Sequence, residues 1–317
     1  MLHLNTTMDI PNTRPSILKP GDTIGIIAPA GPIASQEALA AGIATLERMG
    51  FRVFWNERIL QSYRYFAGRD VDRAEELMRF FEDPGIQGII ALRGGYGCSR
   101  LIPLLEERRL RPHCKVFMGF SDLTTLHLFF RRRFGWVTFY GPMAATPALG
   151  YIGIAEQNHL QSLWTDPAYM PDLRFPGLES WKPGIAEGRV VGGCLSLITA
   201  SLGTIYEIRT EGKILFLEDL GEPPYRIDRM LNHLHLAGKL NSIAGVILGS
   251  FIDCETEPAT CSLQETFMDI FDRLQIPVLA NFPCGHGQVN WAIPLGTRIR
   301  LDATDPSIQF LESSVSC

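Results

Sequence analysis

Serine, histidine and a carboxylate can together hydrolyse an acyl bond without a cofactor, provided the chain brings them within hydrogen-bond reach. The stretch "FMGFSDLTTLHLFF" (117–130) puts Ser121 where an apolar run turns into a helical pattern, the setting of a nucleophile elbow. The lipase-like G-x-S-x-G pattern is incomplete, since Leu123 stands at the second glycine. The same residues also read as a helix start, with Ser121 as N-cap and Asp122 in the first turn. Of the seven histidines, His286 stands out in "FPCGHGQVN", because Gly285 and Gly287 let its loop bend tightly. It equally fits an exposed loop histidine. His3 lies in the tail, His113 and His159 have polar, loop-like surroundings, His233 and His235 point to different faces of one helix, and His127 sits on the helix after Ser121. For the carboxylate, "KILFLEDLGEPPY" offers Glu218 and Asp219 at the end of a buried run, then Glu222. An acid there is costly unless paired, either with a histidine or with Arg226 or Arg229.

The remaining part of an acyl-transfer site is a set of amides for the developing oxyanion. "ALRGGYGCSR" (91–100) ends a strand pattern in Gly94, Gly95 and Gly97, and the Asp122 amide would be the second donor. Phosphate binding competes for this loop, but no G-x-G-x-x-G or G-K-[ST] is completed.

Strand and helix patterns alternate in the first half. Strands are expected at "DTIGIIAPA", "FRVFW", "IQGIIAL" and "KVFMGF". Between them run helices, one with Leu39, Ile43 and Leu46 in helical spacing and one with Val71, Ala74, Leu77, Met78 and Phe81 on one face. This predicts an α/β fold with a mostly parallel sheet over 17–150. Residues 151–187, rich in Pro, Gly and Trp, read as a linker, and 188–317 as a second domain. There, strands are expected at "GKILFLED", "IAGVILGSFI", "IPVLANFP" and "TRIRLD", and helices at "YRIDRMLNHLHLAGKL" and at a capping box of Ser262 and Glu265.

The chain has 317 residues, 46% of them hydrophobic, and a formal net charge of -5. That leaves no basic field for nucleic acid or an anionic membrane. Arg131 to Arg133 complement a helix C-terminus. Seven scattered cysteines without C-x-x-C imply neither structural zinc nor a disulfide framework. No apolar run reaches membrane-spanning length, and the first residues lack a secretory pattern, so a cytoplasmic location is expected. A homodimer is an expectation with no sequence feature behind it.

In order along the chain, "GDTIGIIAPAGP", "ALRGGYGCSRLIPLL", "MGFSDLTTLH", "GRVVGGCLSLITASLGT", "ILFLEDLGEPPYRIDRMLNHL", "GVILGSF" and "FPCGHGQVNWAIPLG" resemble the LD-carboxypeptidase family of serine peptidases. That family includes muramoyl-tetrapeptide carboxypeptidases and microcin-C immunity peptidases. The resemblance implies a Rossmann-like N-terminal domain, a β-rich, barrel-like C-terminal domain and a site between them. It places the nucleophile on Ser121, the acid on Glu218 and the base on His286, with Gly94 or Gly95 and the Asp122 amide as oxyanion donors. It implies no cofactor or metal, and a murein tetrapeptide as substrate, cut before its terminal D-alanine. The alternatives are an amidase acting on peptidyl or aminoacyl adenylates, with Trp164 or Trp181 as adenine platforms, and a small-molecule binding protein without catalysis. Arg93 and Arg226 are candidates for the substrate's terminal carboxylate. One departure stands out: Cys194 occupies a position where the resemblance leads us to expect asparagine.

Overall fold

The computed structural model describes residues 10–255 and 261–317. His3 lies outside the described residues. The first sheet contains the five strands β1 (Thr23–Ile27), β2 (Arg52–Phe54), β3 (Gly88–Ala91), β4 (Val116–Gly119) and β5 (Thr138–Tyr140), of which β3, β4 and β5 are buried throughout and β2 is exposed at Arg52 and Phe54. They pair in parallel in the order β2-β1-β3-β4-β5, one of the common doubly wound orders. Ligand sites in such sheets lie beyond the carboxyl ends of the strands. Both the glycine loop after β3 and Ser121 after β4 are at that edge.

The intervening helices form for the expected reason. Helix Gln36–Arg48 is capped by the Ser35 side chain and buries Leu39 and Leu46. Helix Asp70–Glu82 buries Ala74, Leu77, Met78 and Phe81, whereas Val71, expected on that face, is exposed in the first turn. Burial of a Leu- or Phe-sized side chain contributes about 1.5–3 kcal/mol. This stripe is what holds the helix to the sheet.

The second sheet is built from β6 (Asp172–Leu173), β7 (Glu179–Lys182), β8 (Ile185–Cys194), β9 (Lys213–Leu220), β10 (Gly245–Ile252), β11 (Val278–Ala280), β13 (Arg298–Asp302) and β14 (Ser307–Phe310), in the order β6-β14-β13-β8-β9-β10-β11-β7. Its four central strands, β8 to β11, are parallel, and antiparallel pairs flank them. The sheet curls as an open half-barrel, with β6 and β7 at its edges. The expected helices form at Pro224–Leu236 and Leu263–Phe271, the latter with the Ser262–Glu265 capping box.

Two departures from the expected layout bear on the site. The 151–187 stretch is structured, with helix Ile154–Thr165 followed by the two edge strands β6 and β7. These strands are short and buried only at Leu173, so their pairing with distant partners leaves little local pattern. Strand β12 (Ile293–Leu295) leaves the second sheet and pairs antiparallel with β5 of the first. The segment from β11 to β12 is therefore anchored in both sheets. His286 lies on it.

Candidate active site

The nucleophile turn begins where β4 ends. Phe120 is extended, and Ser121 opens a 3-10 turn (Ser121–Leu123) that runs into helix Thr124–Phe134. Ser121 has φ +63°, a conformation that β-substituted residues rarely adopt and that commonly marks functional strain. No side-chain cap bond is made at this start. The capping reading of Ser121 is thus replaced by another: its Oγ lies 3.0 Å from Nε2 of His286.

His286 is oriented from behind. Its Nδ1 lies 2.7 Å from Glu218 Oε2, and its backbone N–H donates to the same oxygen at 3.2 Å. With a proton on Nδ1 to serve the carboxylate, the Nε2 lone pair faces the serine hydroxyl, as a general base requires. Glu218 is fully buried near the end of β9, between β8 and β10. Its other oxygen accepts the Tyr140 hydroxyl at 2.6 Å. Neither of the arginines considered as partners is there: Arg226 pairs with Glu222, and Arg229 lies over the Tyr225 ring.

Burial works against protonation of His286, but the hydrogen bond and charge of Glu218 outweigh it and raise the imidazole above its ordinary value. His127 contrasts with it. Packed inside helix Thr124–Phe134 and bonded to Thr138 and the Gly119 carbonyl, it is pushed down to about 4 by burial. His159, expected in a polar loop, is buried on helix Ile154–Thr165 with Nε2 2.9 Å from the Ala292 carbonyl, and burial lowers it to about 4.

Gly285 makes the histidine's approach possible. A β-carbon there would lie 2.3 Å from Glu218 Oε2, and its φ is +120°. Gly94 presses equally closely on the nucleophile, for a β-carbon at 94 would lie 2.9 Å from Ser121 Cβ and 3.0 Å from Oγ. The glycine loop therefore passes against the reacting hydroxyl. The Asp122 amide sits in the first turn of a helix, where amides have no intrahelical acceptor. The Asp122 side chain, buried, accepts the Cys98 N–H at 2.8 Å and so ties the glycine loop to the residue after the nucleophile. Burial raises its carboxyl, opposed by that amide bond.

The other singled-out residues lie as follows. Arg93 directs its guanidinium to the Pro32 carbonyl at 3.2 Å, and Arg226 is half-exposed in the first turn of its helix. Among the described residues neither is bonded to Ser121, His286 or Glu218. Cys194 is buried, with Sγ 3.3 Å from Asp219 Oδ1 and its N–H donating to Thr124 Oγ1 at 3.1 Å. No cluster of three metal-ligating side chains occurs among the described residues. Tyr140 was not anticipated, because a tyrosine in a buried run reads as packing. The signal was the acid at the end of "KILFLED", which needed a donor that the histidine alone does not supply.

A serine hydroxyl within hydrogen-bond distance of a histidine whose other ring nitrogen meets a buried carboxylate is the layout of a serine hydrolase acting by acyl transfer. The sequence matches the LD-carboxypeptidase N-terminal domain over residues 24–141 and the LD-carboxypeptidase C-terminal domain over residues 187–301. It is 34% identical to the probable murein peptide carboxypeptidase of Bacillus subtilis, covering 96% of each chain. It is 33% identical to the murein tetrapeptide carboxypeptidase of Pseudomonas aeruginosa, over 86% of this chain and 91% of that one. The microcin C7 self-immunity protein MccF of Escherichia coli is 26% identical over 93% of this chain and 95% of its own. A solved structure of MccF without ligand shares the fold, with a TM-score of 0.89 over 96% of this chain and all of that chain, at 24% identity. The chain belongs to the LD-carboxypeptidase family and is a serine-type carboxypeptidase, a hydrolase.

Proposed function

We propose that the protein releases the C-terminal D-amino acid, D-alanine, from L,D-linked murein tetrapeptides. The observation that carries this reading is the continuous chain Ser121 Oγ, His286 Nε2, His286 Nδ1, Glu218 Oε2, at 3.0 and 2.7 Å, set at the carboxyl edge of the sheet. In this reading Ser121 attacks the carbonyl of the L-centred residue while His286 takes its proton. Glu218 holds the tautomer and stabilises the imidazolium. The Asp122 amide and those of Gly94 or Gly95 receive the oxyanion. His286 then protonates the departing amine of D-alanine, and water, deprotonated by the same histidine, hydrolyses the acyl-serine.

Residues 17–150 thus contribute the nucleophile, and 188–317 the acid and base. A cytoplasmic enzyme of wall recycling, assembled as a homodimer, is the setting we infer. Adenylate hydrolysis, suggested by the E. coli relative, draws no support from the two candidate tryptophans. Trp164 is fully buried against Phe51 and Phe139, and Trp181 packs on Phe267. The test is to incubate the protein with a tetrapeptide ending in an L,D linkage and with its L,L counterpart. Free alanine should appear only from the first. Release from neither, with Ser121 intact, defeats the reading.

A further inference from the structure

We propose that Tyr140 is a positioning residue that links the nucleophile's backbone to the triad carboxylate and sets the basicity of His286; this rests on the Ser121–His286–Glu218 reading above. Tyr140 closes β5, paired with Gly119 at the end of the neighbouring β4, so its side chain reaches the turn that carries Ser121. Its hydroxyl has three neighbours. It lies 2.6 Å from Glu218 Oε1, 3.0 Å from the Ser121 amide nitrogen and 3.5 Å from Thr124 Oγ1.

The direction of each bond follows from what the partners can do. A backbone N–H only donates, so the phenol oxygen accepts from Ser121. The single O–H proton is then left for the carboxylate, which only accepts when ionised. Glu218, fully buried, therefore receives three donors: the His286 ring, the His286 amide and the Tyr140 hydroxyl. Without the third, Oε1 would be a buried charged atom with no partner. The ring itself is buried and fixed by Phe120, His127 and Phe216. Burial and the charge of Glu218 keep the phenol protonated well above its ordinary range, so it remains a donor wherever the enzyme works.

Two consequences follow. The bond to the Ser121 amide helps hold a residue whose φ of +63° is unfavourable, and so fixes Oγ against Nε2. The bond to Oε1 spreads the negative charge of Glu218 and limits how strongly it holds the imidazolium. Other ionisable groups near the pair are Asp219 on β9, Cys194 ending β8 and Cys284 on the histidine's own loop, with His127 beside the Tyr140 ring. The three cysteine and tyrosine groups stay protonated, each raised by burial first. His127, lowered to about 4, stays neutral across the range in which His286 titrates.

The test compares wild type with Tyr140→Phe and with 3-fluorotyrosine at position 140, whose phenol is the stronger donor. Phenylalanine keeps the ring packing and loses the hydroxyl's three bonds. We expect kcat to fall by about tenfold to a hundredfold with KM nearly unchanged. The acid limb of kcat/KM, and the His286 titration followed by NMR, should both move to higher pH. Fluorotyrosine should move both to lower pH while retaining most of the activity. A fall in kcat with the limb and the His286 titration at their wild-type positions would mean that the tyrosine only packs, and would overturn the proposal. Shifts of the same sign in both variants would overturn it as well. If wild type releases no alanine from an L,D peptide, the proposed function fails, while the His286 titrations in the two variants still decide the role of Tyr140.

Discussion

Replacing Gly285 by alanine should disable the site while leaving Ser121, His286 and Glu218 chemically unchanged. The new β-carbon would lie 2.3 Å from Glu218 Oε2, 2.8 Å from Cδ and 2.9 Å from Cγ. Ordinary carbon–oxygen contact needs a separation about 1 Å longer than the first of these. Glu218 has no room to retreat. It is fully buried between β8 and β10, and its other oxygen is held by the Tyr140 hydroxyl at 2.6 Å. The loop must yield instead, although it is held by Ser250 N–H to the Cys284 carbonyl at 2.9 Å and by Gly285 N–H to Asn290 Oδ1 at 3.2 Å. A displacement of His286 by about 1 Å costs roughly a hundredfold in rate, because the proton-transfer geometry is lost. The φ of +120° adds backbone strain of roughly 1–3 kcal/mol, lowering the melting temperature by several degrees. Alanine release from an L,D tetrapeptide and a thermal melt measure the two effects. Activity within about threefold of wild type would refute the claim that this glycine sets the histidine against its acid.

Three further outcomes follow from the same geometry. Glu218→Gln keeps the size but its amide can donate to Nδ1, which favours the tautomer with the proton on Nε2; kcat should fall by about 10³- to 10⁴-fold with little change in KM. Hydrolysis requires neutral His286, so kcat/KM should rise with pH along an acid limb placed above the ordinary imidazole value of about 6.5. The same upward shift gives a stability increment that is fully present below about 6.5 and lost as pH rises through the folded-state value, so His286→Gln should flatten that part of the stability profile.

Much of the fold could be read from the sequence because its signals are local. Buried runs such as "IQGIIAL" and "KILFLED" have to be central strands, and Leu39 with Leu46 can face a sheet only from a helix. Ser121 was visible as a serine at a strand-to-helix turn, and His286 by its flanking glycines. What the sequence concealed depends on pairing between distant segments. Nothing in "AIPLG" says that β12 crosses to β5, yet this crossing anchors the histidine loop in both sheets. Edge strands β6 and β7 are too short to alternate. Trp164 and Tyr140 were ambiguous for one reason, that an aromatic side chain looks the same in a sequence whether it packs, stacks on a ligand or donates a hydrogen bond. The bonds of its hydroxyl to Glu218 Oε1 and to the Ser121 amide distinguish Tyr140 from its neighbours Phe139 and Trp136.

In the proposed reaction Ser121 carries the acyl group between departure of D-alanine and attack by water. This role is tested most directly by quenching the enzyme with acid during turnover of an L,D tetrapeptide and measuring the intact mass, followed by proteolytic mapping. An adduct with the mass of the tripeptide acyl group is expected on the fragment containing Ser121 and none from Ser121→Ala, which should also release no alanine. Alanine release by Ser121→Ala near the wild-type rate, or an adduct mapped to another residue, would contradict it.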